Sequence, residues 1–283
     1  MKKPENVFVK NEILSNDFRF HQTIYHVRAA MRYDFVPDFY INSGLLVEFT
    51  QTYFDIINNS NRYSNNYTSF LPFATVMKKW TNDVHLNFSY KRTVQRPRLN
   101  ELNPSLDYAD PYNTRSGNPY LQPYFADNFD VSVGKWNKKY NVNASVGYNS
   151  LQDIYGSIRT RQADGSTFTT WQNISGRKEY EASIWGGYTL NKKAKANLSF
   201  GYTHNVYSQY DRTVRFFRNG GSFFSTLNGS YQFTDVMNAN ASFTFNRFAN
   251  PQGTVRNTLN MNLGIQRKFF DKRFIITVNV IDP

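Results

Sequence analysis

The chain has 283 residues, a formal charge of +12, no cysteine and an aromatic content of 17% drawn from 20 Tyr, 25 Phe and 4 Trp. That length allows one large β domain or two ordinary domains, and the absence of cysteine excludes a disulfide framework and any thiolate metal site. Mean hydropathy is -0.61, and apolar runs such as Leu45-Leu46-Val47 fall far short of the ~20 residues a membrane-spanning helix needs, although a barrel of alternating strands can average to such a value.

Met1-Lys2-Lys3 has the basic character of an export signal, but Pro4, Glu5 and Asn6 follow where an apolar stretch belongs. An exported barrel would therefore draw its signal from sequence N-terminal to this chain. The lysines and arginines are scattered and often sit in turns (Lys138-Lys139, Lys192-Lys193, Lys272-Arg273). Such charges face water or lipid phosphates and give no nucleic-acid interface.

A period of two dominates the chain. Val84, Leu86, Phe88 and Tyr90 alternate with Asp83, His85, Asn87 and Ser89. Tyr140 to Tyr148 alternate with Asn141, Asn143, Ser145 and Gly147. The pattern recurs through Ala194–Tyr202, Met237–Phe245 and Leu259–Ile265, and no stretch offers a helical period. The reading is an all-β chain of about twelve strands, near 18–34, 39–55, 67–79, 83–94, 125–136, 140–162, 168–190, 194–208, 213–233, 236–248, 254–268 and 273–281. Several exceed the five or six residues usual in globular sheets and match strands that cross a bilayer at a tilt.

The connections alternate in length. Short turns fall at 35–38, 80–82, 137–139, 191–193, 234–235 and 271–272; longer polar segments fall between them at 56–66, 95–124, 163–167, 209–212 and 249–253. Short periplasmic turns alternating with longer external loops are the habit of outer-membrane barrels, whereas a Greek-key sandwich has no reason to sort its turns. This ordering fixes direction: the first strand runs inward and the last outward, so both ends lie on the external side. Complete barrels of this kind leave both termini in the periplasm, so an odd number of strands is expected beyond each end.

On an alternating barrel strand the apolar positions face lipid and the polar ones the lumen. The lumen-facing candidates are Arg28, Arg32, Glu48, His85, Asn87, Asp130, Asn141, Asn143, Glu179, Glu181, Asn238 and Asn240. Tyr25, Tyr33, Tyr90, Trp136, Tyr188 and Tyr202 are candidates for aromatic girdles at the membrane interfaces. Catalytic, metal-binding and cofactor-binding signatures are absent: His21 and His26 differ in parity, and there is no HExxH, phosphate loop or nucleophile elbow. The reading is a non-enzyme without a cofactor. Asn-x-Ser/Thr triplets such as those at Asn143 and Asn197 arise from alternation within strands.

Segment 95–124 carries Pro97, Pro104, Pro111, Pro119 and Pro123 and cannot be a central strand. Its prolines lower the entropy cost of ordering, and its tyrosines offer stacking surfaces. A folded external loop follows, which either contacts a ligand or braces the barrel. Its candidate contact residues are Arg96, Tyr108, Tyr112, Arg115, Tyr120 and Tyr124.

Arg96-Pro97, Leu102-Asn103-Pro104, Asp110-Pro111 and Gly117-Asn118-Pro119 with Leu121 and Pro123 resemble the signature of TonB-dependent-receptor-like outer-membrane barrels abundant in Bacteroidetes. Val278 to Pro283 resembles that family's penultimate strand, and the resemblance extends over the whole chain. Tyr124 departs from it, since the family often has an acidic residue there, which puts a loop contact in question. The resemblance implies a 22-stranded barrel of which residues 1–283 form a portion, with the N-terminal plug and the final strand absent. Twelve strands here and one after leave nine before, an odd number as the direction argument requires. It implies a Gram-negative outer-membrane transporter that imports a large nutrient (siderophore, glycan or peptide), with lipid, an unknown solute and, through the absent plug, the TonB system as partners. Two rivals stay open on the residues alone: a passive porin-like or structural barrel, and a soluble carbohydrate-binding β protein.

Overall fold

The structure, a computed structural model, describes residues 18–56, 61–174, 176–207, 219–249 and 255–282. Twelve strands form one antiparallel meander: β1 (Phe18–Val36), β2 (Phe39–Ile56), β3 (Asn61–Lys79), β4 (Val84–Gln95), β6 (Tyr124–Trp136), β7 (Tyr140–Gln152), β10 (Arg177–Thr189), β11 (Ala194–Tyr207), β12 (Gly220–Thr234), β13 (Met237–Ala249), β14 (Val255–Phe269) and β15 (Phe274–Ile281). Three short strands, β5 (Asn113–Arg115), β8 (Tyr155–Arg161) and β9 (Thr167–Asn173), form a separate sheet in the order β5-β9-β8, and α1 (Leu99–Leu102) is a single helical turn.

Every neighbour in the large sheet is the next strand of the meander, so the order follows from hairpins alone. The short turns have identifiable chemistry. In Asn137-Lys138-Lys139 the Asn137 side-chain oxygen accepts from the N–H of Lys139 (2.9 Å) and Tyr140 (2.8 Å). The same three residue types repeat at Asn191-Lys192-Lys193, where Asn191 accepts from Lys193 (2.8 Å) and Ala194 (2.9 Å). An asparagine that mimics a backbone turn stops each strand in register. Asp38 and Asp83 occupy the left-handed region at φ 62°, which Asp tolerates better than most residues.

Residues directly opposite in an antiparallel ladder share a face. Following the ladders places one row across nine strands: Lys79, His85, Gly134, Asn143, Trp185, Ser199, Thr226, Thr244 and Asn260. A second row joins Ser89, Asp130, Gly147, Glu181, Thr203 and Ser222. Arg28, Arg32 and Glu48 occupy the same face through β1–β2–β3, as do Asn87, Asn141, Glu179, Asn238 and Asn240 further along. All twelve polar positions singled out by alternation thus lie on one face. The opposite face carries Val27, Met31, Phe70, Val146, Leu198 and Val278, each at least half exposed. A sheet with that much apolar side chain open to its surroundings is built to face lipid.

Strands β1, β2 and β3 have 19, 18 and 19 residues. At roughly 3.3 Å per residue they are about twice as long as a bilayer crossing requires. Their outer ends, around Phe20, Phe54 and Tyr63, form a wall on which the loops pack.

Four sequence expectations are corrected. The strand expected at 140–162 is two: Asp153, at φ 56°, turns the chain out of the large sheet, and β8 belongs to the loop sheet. The strand expected at 168–190 likewise divides into β9 and β10, and 163–167 is the tip of the β8–β9 hairpin. The loop expected at 56–66 is shorter, because β3 begins at Asn61. Trp136 is not on the apolar face with the other girdle candidates: it pairs with Asn141 on the polar face and its ring lies 4.1 Å from that of buried His85. The expected loop at 209–212, all but Ala249 of the loop expected at 249–253, and residues 213–218 of an expected strand lie outside the described residues.

Candidate functional site

The candidate site is the unit that loop 96–123 and residues 153–174 build together at the outer end of the polar face. Loop 96–123 leaves β4 through Arg96, whose guanidinium pairs with Glu48 on β2 and reaches Thr50 Oγ1 at 3.3 Å. Both ions of the pair are largely buried, at 19% and 16% exposure. Single-turn α1 follows, with the Glu101 carboxylate accepting from the Arg98 N–H at 2.7 Å. Leu102 then enters a cluster with Leu121 and Phe54, flanked by Phe20, Tyr63, Tyr155 and Trp171. Leu121 is 1% exposed, the most buried hydrophobic residue of the unit.

The Gly117-Asn118-Pro119 segment folds back over α1. The N–H of Gly117 donates to Asn103 O (2.8 Å) and that of Asn118 to Glu101 O (2.7 Å). A Cβ at Gly117 would lie 2.6 Å from both of those carbonyl oxygens. Backbone cannot step aside, so the close approach requires glycine. Asn118 Nδ2 donates to Trp171 O (3.0 Å) and so joins this loop to β9.

The second loop docks by its backbone. β5 pairs with β9 in parallel, Ser116 N donates to Thr169 O (3.0 Å) and Thr167 N to Tyr112 O (2.8 Å). Asn173 bridges three segments: its amide donates to Gln122 O (3.0 Å) and Asp153 O (2.9 Å), and its oxygen accepts from Gln122 N (2.9 Å). Tyr155 OH donates to Arg96 O at 2.8 Å. Burial first, and then the nearby Glu101 charge, push the Tyr155 phenol up to about 12.

Tight turns complete the outer rim. Asp107 accepts from the Ala109 N–H (2.9 Å) and from Arg115 Nε (2.7 Å), and these two bonds hold its carboxyl below the usual range. The Asp110 carboxyl is lowered by the Asn113 side chain (2.7 Å) and then by the Tyr112 N–H (2.9 Å). A cleft of about 380 Å³ opens here, lined by Asn100, Asn103, Ser105, Asp107, Arg115, Ser116, Gly117 and Trp171. Among the described residues no group of three or more His, Asp or Glu could hold a metal ion.

The six candidate contact residues divide. Tyr108, Tyr112, Tyr120 and Arg115 are exposed on the rim, and Tyr120 lies edge-on to Tyr63 at 5.7 Å. Arg96 is committed to Glu48 beneath the loop, and Tyr124 stacks edge-on to Tyr155 at 5.3 Å, beside Ala126, Leu151, Ile154 and Tyr207. Sequence reasoning missed Asn100, Trp171 and Asn173. Trp171 lay inside an expected membrane strand, and only its polar neighbours Gln172 and Asn173 hint that the strand is interrupted.

With this geometry in place, the outer membrane protein beta-barrel family matches residues 2–283. The chain belongs to that family. It resides in the outer membrane, and its apolar face is the surface such a location demands. Solved structures share the fold: the copper transporter OprC (14% identity, TM-score 0.71), covering 94% of this chain and 44% of that one. The siderophore receptor PirA from Pseudomonas aeruginosa aligns at 9% identity and TM-score 0.58, over 93% of this chain and 57% of its own. The FrpB iron transporter from Neisseria meningitidis aligns at 10% identity and TM-score 0.64, over 92% and 41%. The chain therefore spans roughly half the length of the structures it resembles, or less. No curated protein matches it by sequence.

Proposed function

We propose that this outer-membrane β-barrel chain forms part of the wall of a TonB-dependent transporter that imports a large nutrient (siderophore, glycan or peptide). The polar face lines the lumen, and the paired loops form the mouth where solute is selected. The observation that carries this reading is the loop unit itself. Two external loops fold into one hydrogen-bonded body seated against Phe54, Thr50 and Glu48 at the outer end of the polar face. An ordered mouth at the end of the polar face suits recognition of a solute before passage. Arg96 and Tyr124 brace the unit; Tyr108, Tyr112, Tyr120 and Arg115 are the positions open to solute. The work is binding and gated passage rather than catalysis.

The partial coverage of the neighbouring receptors supports a larger barrel, with further strands and a TonB-coupled plug supplied by sequence outside this chain. The motif of loop 96–123 supports a member of the kind abundant in Bacteroidetes.

The test is uptake by cells carrying the natural gene, with TonB present or deleted, using ferric enterobactin, a malto-oligosaccharide and an oligopeptide as probes. Import of one probe that stops without TonB is the expected result. Entry of all three that ignores both TonB and the proton gradient would instead identify a passive pore.

A further inference from the structure

We infer that the cleft between α1 and β5 is a binding site for a carboxylate carried on a small ring-shaped solute. It goes beyond the transport reading, because it rests on the fold of loop 96–123 and stands whether or not TonB drives passage.

Arg115 carries the inference. Its Nε is tied to Asp107 at 2.7 Å, and the other Asp107 oxygen accepts from the Ala109 N–H at 2.9 Å. The bond to Asp107 holds the guanidinium by its Nε edge and leaves the Nη end unpaired. Among the described residues nothing accepts from either Nη, so both remain available to donate to a ligand in the cleft that Arg115 lines. A planar, pre-oriented pair of donors matches the two oxygens of a carboxylate, which a lysine cannot do.

The surroundings narrow the ligand further. Asn100 lines the same cleft, and its amide makes no hydrogen bond to any described residue. The half-buried indole of Trp171 forms a wall against which a ring can lie. Asp107 sits beside the fork and offsets its charge. Because the pair is already neutral, a monoanion is held by the Nη donors rather than by net charge, and a phosphate dianion would meet about twice the repulsion from Asp107. About 380 Å³ accommodates one ring with its substituent rather than a polymer.

The experiment titrates the protein, extracted in detergent from outer membranes, with glucuronate, glucose and N-acetylglycine, followed by saturation-transfer NMR. Glucuronate is expected to bind and glucose, the same ring without the carboxylate, to bind at least about tenfold more weakly, the value of a charge-assisted hydrogen bond. Arg115→Lys is expected to lose about the same factor. Asn100→Asp places a negative charge beside the fork without removing any hydrogen bond, so it lowers affinity while the loop stays folded. Lys138→Ala, in the β6–β7 turn at the opposite end of the sheet, leaves binding unchanged. N-acetylglycine binding as tightly as glucuronate would support the carboxylate fork but assign it to an amino-acid or peptide source. Equal affinity for glucose and glucuronate, or undiminished glucuronate binding in Asn100→Asp, would overturn the site.

Discussion

At the scale of single residues, the loop motif is a set of structural instructions. Gly117 is required by two carbonyl oxygens, Leu121 by a pocket it fills, and Arg96 by a buried partner on another strand. The Arg96–Glu48 pair is where a prediction is sharpest. Each ion is desolvated by the loop above it, so deleting one leaves the other buried without a counter-charge. Removing one member of such a pair costs about 3 kcal/mol, while removing both costs far less. Arg96→Ala and Glu48→Ala should each lower the denaturant midpoint of the detergent-extracted protein, and the double variant should regain most of the loss. Additive losses in that cycle would show that the two side chains act independently. Neither partner can be matched to the other from sequence, since 48 residues separate them and nothing local couples their positions.

At the scale of elements, alternation and turn chemistry made most of the large sheet legible. Each meander strand carries its own period, and Asn-Lys-Lys at both 137–139 and 191–193 writes its turn locally. What stayed illegible was the loop sheet. β8 and β9 alternate like membrane strands, so 140–162 and 168–190 read as continuous. Their assignment to a second sheet depends on pairing β9 with β5 across more than 50 residues. Trp136 is a different case, because its even number already matched Asp130 and Gly134 on the polar face. Its aromatic character points to the lipid interface and its parity to the polar face, and parity is the better guide because strand geometry, not side-chain type, sets the face.

The junction between the two loops makes a pH prediction. Tyr155 donates from its phenol to Arg96 O, and the folded protein raises its pKa from 10.0 to about 12. Below pH 10 the phenol is protonated in both folded and unfolded chains, so the contribution is complete. Between about 10 and 12 the unfolded chain releases the proton first, which favours unfolding, and the contribution falls as pH rises. Amide exchange across β8 and β9, with rates corrected for the intrinsic effect of pH, should quicken over that window. In Tyr155→Phe the extra acceleration should vanish. Persistence of the same pH response in that variant would assign it to another group.

At the scale of the whole molecule, one decision organises every strand: which face meets lipid. The register puts Ser132 and Val133 next to each other on β6 but on opposite faces. Ser132 pairs with Asn87 and Ser145 among polar neighbours, and Val133 with Leu86 and Ala144. Val133 is 48% exposed on the apolar face. An arginine in lipid at mid-membrane costs about 2–4 kcal/mol, whereas a lumen position meets water and pairs with nearby carboxylates. Val133→Arg should therefore lower stability in phospholipid vesicles by about that amount, with reduced yield in the outer membrane. Ser132→Arg, one residue away, should stay within about 1 kcal/mol of the parent protein, because the row of polar side chains around it can solvate the new charge. A penalty of equal size at both positions would mean that both faces are packed against protein, and the division of the sheet into a lipid side and a lumen side would fail. A penalty confined to Ser132→Arg would reverse the two sides and move the loop unit from the mouth of the barrel to its outer wall.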